Sequence, residues 1–171
     1  MCPRRRPDPA LPRIRPTPSF QAQLVHAKLE AVGIVFSCEG LDLKPEECLY
    51  SETHEWVFVE NRNGETHGTV GISKFAIEQL TDLVYMELPK IGQDVTAGEE
   101  FGEVESVKAV SPLYSPVTGV IAEVNSDLPN RLETLAGDPY DNGWIAKIKI
   151  TDPDSLSKLM DFKTYQAQCQ S

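Results

Sequence analysis

The 171 residues, 19.0 kDa, are 40% hydrophobic and 25% charged, which allows one domain with a real core plus an appendage but not two full domains. Asp and Glu number 26 against 16 Lys and Arg, a formal charge of -10 that repels phosphate backbones, so nucleic acid is not an expected partner. No apolar run approaches the roughly 20 residues needed to cross a bilayer, so no membrane span is expected either. Cys2, Cys38, Cys48 and Cys169 form no CxxC pair, which argues against a zinc site or disulfide scaffold and fits reduced intracellular thiols.

Five Arg and one Lys stand against Asp8 and Glu30 in residues 1–36, a local charge of +4 that leaves -14 on the rest. Six prolines between Pro3 and Pro18 forbid a continuous helix there. Residues 1–45 are expected to be an Arg/Pro-rich disordered extension, with a short helix at Gln21–Phe36. The segment is Arg-rich and acid-poor, as transit peptides are, but neither amphipathic nor Ser-rich. Cytoplasm is therefore the expected compartment, and a mitochondrion the alternative.

Residues 46–150 are expected to form the domain, with its core at about 67–149, and residues 151–171 a helical tail. Glu55–Glu60 reads as a strand, Asn61–Gly64 as a turn and Thr66–Ile72 as the returning strand. Ser73 can cap a short helix with Ile72, Phe75, Ala76, Leu80 and Leu83 on one stripe. Strands follow at Val84–Leu88, Phe101–Ser106 and Val120–Val124, with turns marked by Gly92, Gly98 and Ser115–Gly119. Trp144, Ala146, Ile148 and Ile150 alternate with Lys147 and Lys149, and Asp152-Pro153 opens a closing helix carrying Leu156, Leu159 and Met160. Many short strands with Gly and Pro turns predict a mainly β sandwich or barrel with small helices at its margins.

Catalytic motifs are missing. His54-Glu55 begins like HExxH, but position 58 is Phe, and there is no GxSxG, Walker A loop or GxGxxG. The acidic residues Glu99, Glu100, Glu103 and Glu105 follow strand spacing rather than that of a calcium loop. One lysine stands apart: in Gly102–Val110 a strand, a tight turn and a return strand place Lys108 at the tip. Such a turn offers one amine on a rigid base to a modifying enzyme, and suits a long swinging arm. An ordinary solvated lysine has the same geometry, and from the turn alone that reading prevails.

The residues around it do. Glu105-Ser-Val-Lys-Ala109 closely resembles the lipoylation site of glycine cleavage system H proteins. The resemblance runs from Ser51 to about Met160. It takes in Thr53-His-Glu-Trp-Val57, Gly68-Thr-Val-Gly-Ile72, Leu88-Pro89, Phe101-Gly102, Tyr114–Gly119, Glu123-Val-Asn125, Asp138-Pro-Tyr140 and Gly143-Trp144. It implies a lipoyl/biotinyl-carrier-type β barrel-sandwich with short flanking helices and a C-terminal helix. It also implies a carrier that is not an enzyme, with (R)-lipoate covalently bound to Lys108. In this family the arm takes the aminomethyl group of glycine from the P protein to the T protein, and the L protein reoxidises it. Those three and the lipoylating enzymes are the implied partners. Glu105, Ser106, Val107 and Ala109 would form the recognition turn, and Glu55 and Phe75 a cleft where the arm docks. The chain departs from the family at Pro112, where an acidic residue is usual, and at Phe75, where His or Tyr is usual.

Four alternatives stand beside this reading, one of them a lipoyl domain of a 2-oxoacid dehydrogenase, which would show Asp-Lys-Ala where this chain has Val107-Lys-Ala109. A biotin carrier shares the architecture but flanks its lysine with methionines, where this chain has Val107 and Ala109. A lipoyl-relay or interaction module would use the same lysine to donate lipoate to other enzymes. A metal-dependent hydrolase would have to rest on His54 and Glu55.

Overall fold

The computed structural model describes residues 43–170, so residues 1–42 of the expected extension, with the helix at Gln21–Phe36, lie outside it. Among the described residues nine strands form two antiparallel sheets. The larger has the order β1-β2-β3-β9-β8-β5: Leu49–Tyr50, Glu55–Arg62, Glu65–Ile72, Ala146–Asp152, Thr118–Val124 and Asp94–Val95. The smaller has the order β4-β6-β7: Leu83–Glu87, Glu100–Ser106 and Val110–Tyr114. The sheets face each other as a sandwich and do not close into a barrel. The main core lies between them, with Val57, Val70, Ile121 and Ile148 from the larger sheet against Met86, Val104 and Leu113 from the smaller.

The hairpin of β2 and β3 pairs from Glu55 with Ile72 to Arg62 with Glu65. Asn63 (φ +53°) and Gly64 (φ +82°) alone make the turn, a two-residue loop with both residues left-handed. It is tighter than the turn expected over Asn61–Gly64, because Asn61 and Arg62 remain in the ladder. Strand β2 is buried on both faces. Val57 and Val59 enter the main core, whereas Trp56 and Phe58 point the other way, into a second cluster with Cys48, Tyr50 and Tyr165. Gly71 makes room for that cluster, since a Cβ there would lie 2.5 Å from the Trp56 ring.

Helix α1 is Lys74–Leu80, capped by Ser73 Oγ, which accepts from the Ala76 N–H at 3.3 Å. Its buried residue is Ile77 rather than Phe75 or Leu80, and Leu83 belongs to β4. Helix α2, Leu132–Gly137, was not anticipated. Alternation in β9 starts at Ala146: Ile145 enters the main core, and Trp144 packs half-buried on the outer cluster. The closing helix expected from Asp152-Pro153 is a 3-10 helix, Pro153–Lys158. A separate helix α3, Phe162–Cys169, follows, capped by the Asp161 carboxylate on the Thr164 N–H. Met160 breaks the two apart by pairing with Tyr50 as a strand would. No helix among the described residues is long and apolar enough to cross a membrane.

Candidate functional site

Strands β6 and β7 form the hairpin with Lys108 at its tip. The turn closes with the Ser106 N–H donating to the Ala109 carbonyl at 2.9 Å. Ser106 Oγ accepts from the Lys108 and Ala109 N–H groups at 3.3 and 3.2 Å, and Ser106 is buried. From the side, the Val107 N–H donates to the Asp82 carbonyl at 3.0 Å, in the short link between α1 and β4. That link begins at Thr81, whose φ of +65° is strained for a β-branched residue. The backbone is thus held from inside and from the flank, while Val107, Lys108, Ala109 and Val110 are exposed. The Lys108 amine has no ion pair or hydrogen bond among the described residues. Glu105, half-buried, sits on β6 opposite both Tyr85 and Val110.

Glu55 lies elsewhere. Its carboxylate is buried, with Oε2 accepting from Ser51 Oγ at 2.6 Å and from Thr53 Oγ1, and Oε1 from the Tyr114 N–H at 2.9 Å. Tyr114 ends β7, about 13 Å along the strand from Val110 at ~3.3 Å per residue. Glu55 therefore marks the base of the lysine hairpin and Lys108 its tip. Phe75, in the first turn of α1, lies against the His54 ring with centroids 5.1 Å apart. His54 has φ +79°, and its carbonyl accepts from the Ser73 N–H at 2.9 Å.

A hydrogen-bonded chain supports that loop. Tyr165 Oη, from α3, lies 2.9 Å from His54 Nδ1 and 2.6 Å from Ser73 Oγ, and its ring stacks on Tyr50 at 4.3 Å. Burial pushes the Tyr165 and Tyr50 hydroxyls well above the usual phenol range, so both remain protonated donors. The sequence signals the Ser73 cap and the Thr53-His-Glu element. Nothing in it signals Tyr165, which reaches His54 across 111 positions. His54 and Glu55 take different partners, and no group of three His, Cys, Asp or Glu among the described residues is placed to hold a metal.

Residues 48–171 match the family model described as glycine cleavage H-protein. The chain belongs to that family. The glycine cleavage system H protein of Rhodopirellula baltica is 56% identical over 125 residues, 73% of this chain and 94% of that protein. The one from Vibrio cholerae is 49% identical over 121 residues, 71% of this chain and 94% of that protein. The crystal structure of a glycine cleavage system H protein from Mycobacterium marinum superposes with a TM-score of 0.67 at 36% identity, covering 75% of this chain and all of that one. Membership makes the chain a non-catalytic carrier component of glycine cleavage rather than one of its enzymes.

Proposed function

We propose that Lys108 is the covalent attachment point for (R)-lipoate and that the chain shuttles the aminomethyl group of glycine on that arm. The group is received from the P protein and delivered to the T protein, and the L protein reoxidises the arm. The observation that carries this reading is the Lys108 hairpin: an exposed, unpaired amine on a turn held by Ser106 and Asp82. The free amine fits acylation, and acylation removes its charge. When bound, the lipoyl group supplies a disulfide that accepts the aminomethyl carbon on sulfur. The chain itself contributes a rigid base, which keeps the cargo at high effective concentration near successive partners.

Glu55 and Phe75 we assign to the cleft where a loaded arm docks. A protonated amine is attracted to the Glu55 carboxylate, and the Ser51 and Thr53 hydroxyls on Oε2 can turn to make room. Phe75 and the His54 ring against it supply an aromatic wall. With no charge at position 112, Glu55 carries the electrostatic attraction in this account. For compartment we propose the cytoplasm. The test of attachment is Lys108→Arg, expected to fold like the parent and to take no lipoate from a lipoate ligase. Residual lipoylation of that variant overturns the assignment.

A further inference from the structure

The outer face of the three-stranded sheet is built against the interests of folding. Met86 and Val104, opposite each other on β4 and β6, face the core. The rows on either side face out: Tyr85, Glu105 and Val110 in one, and Glu87, Glu103 and Pro112 in the other. Glu87 and Glu103 are directly opposed like charges, an arrangement that destabilises an antiparallel pair. None of the Glu87, Glu103 and Glu105 carboxylates has an ion pair or hydrogen bond among the described residues. The same region gathers exposed apolar surface: Val84 (54%), Tyr85 (48%), Val107 (62%) and Val110 (55%) are four of the five large hydrophobic residues exposed among the described residues. Unpaired carboxylates interleaved with exposed apolar side chains, continuous with the Lys108 turn, make poor solvent-facing sheet and good interface.

We infer that this face is the docking surface for the enzyme that acylates Lys108, and that this enzyme presents an apolar patch rimmed by Lys and Arg. The inference rests on the carrier reading and names the partner for this face. An acylating enzyme must bring its activated acyl group to the lysine nitrogen itself, so it has to cover the turn and the sheet beside it. An enzyme served by the loaded arm meets the arm's far end and has no such constraint. In the step, the uncharged Lys108 amine attacks the carbonyl carbon of a lipoyl adenylate and the C–N bond forms. The C–O bond to the phosphate breaks, the adenylate leaves with the electron pair, and the amine's proton passes to water. The partner's basic rim would complement Glu87, Glu103 and Glu105 and make association salt-sensitive.

The experiment uses the full chain, unlipoylated, with a lipoate ligase, lipoate and MgATP, and compares Glu87→Lys and Tyr85→Ala with the parent. Glu87→Lys places an opposite charge across from Glu103, so its thermal midpoint is expected to equal or exceed the parent's. Its lipoylation kcat/KM is expected to fall about tenfold, with a flatter salt dependence, and Tyr85→Ala is expected to lose several-fold at all salt concentrations. Driven to full lipoylation with excess ligase and checked by mass, both variants should support glycine–bicarbonate exchange at the parent rate. Unchanged lipoylation in both variants overturns the inference. So does a loss confined to the exchange assay, which would give the face to the cleavage enzymes. A parent chain that takes no lipoate would instead overturn the carrier reading.

Discussion

Replacing Glu55 by alanine would remove an acceptor that three donors share in a buried position. A hydrogen bond to a charged group is worth about 1.5–3 kcal/mol. The three are not equal. Thr53 is exposed and Ser51 half-exposed, so their hydroxyls can turn to water and recover most of the loss. The Tyr114 N–H, half-buried at the end of β7, has no such freedom. Counting that bond in full, and a fraction for the hydroxyls and the lost packing, gives about 2–4 kcal/mol. At ~3–6 °C per kcal/mol for a domain of this size, the thermal midpoint should fall by roughly 6–24 °C. Glu55→Gln keeps an oxygen for the Tyr114 N–H and an amide that the hydroxyls can accept from, so it should lose only about 1 kcal/mol. Urea unfolding and thermal melts at neutral pH measure both variants. An alanine variant within ~0.5 kcal/mol of the parent would refute the reasoning, as would a glutamine variant as damaging as alanine.

Gly119→Ala would set a Cβ onto the Lys149 carbonyl and within 2.9 Å of Ile148, so it should cost ~3 kcal/mol or more. Gly137→Ala meets nothing within 4 Å and should change stability by less than ~0.5 kcal/mol; equal urea midpoints would contradict the packing account. Because burial raises the Tyr50 and Tyr165 phenols above their ordinary value of 10.0, the unfolded chain loses those protons first as pH rises. Stability should hold below about pH 9.5 and then decline by up to ~1.4 kcal/mol per pH unit for each phenol, a slope that Tyr50→Phe reduces; a flat profile to pH 11 would count against it. Tyr165→Phe keeps the stack on Tyr50 but leaves His54 and Ser73 without their shared partner, at a cost of about 1–2 kcal/mol. Hydrogen exchange should then show α3 opening ahead of the sheets, and unchanged protection of α3 would argue against that role.

The parts legible in the sequence are those whose signal is local. The β2–β3 hairpin is announced by its run of apolar, β-prone residues ending in Asn-Gly, α1 by its Ser73 cap, and the lysine turn by the strands on either side. Strands β1 and β5 have two residues each, too few to show a period. Burial of β2 on both faces could not be foreseen, because the second face is covered by α3 from the far end of the chain. Trp144 looked like the start of a strand because it continues the alternation of β9, and it is Ile145 that enters the core. In the candidate site, Lys108 and its turn partner Ser106 were within reach of local reading. The Tyr114 N–H on Glu55, across 59 positions, and Tyr165 on His54 depend on the tertiary fold.

The most direct test of the central claim is the mass of the full chain purified from its native host, followed by mapping of the peptide that contains Lys108. The account requires a lipoyl adduct on Lys108 and on no other lysine. A biotin adduct at that position would contradict it, as would an unmodified Lys108 in a host whose other lipoyl proteins carry their groups.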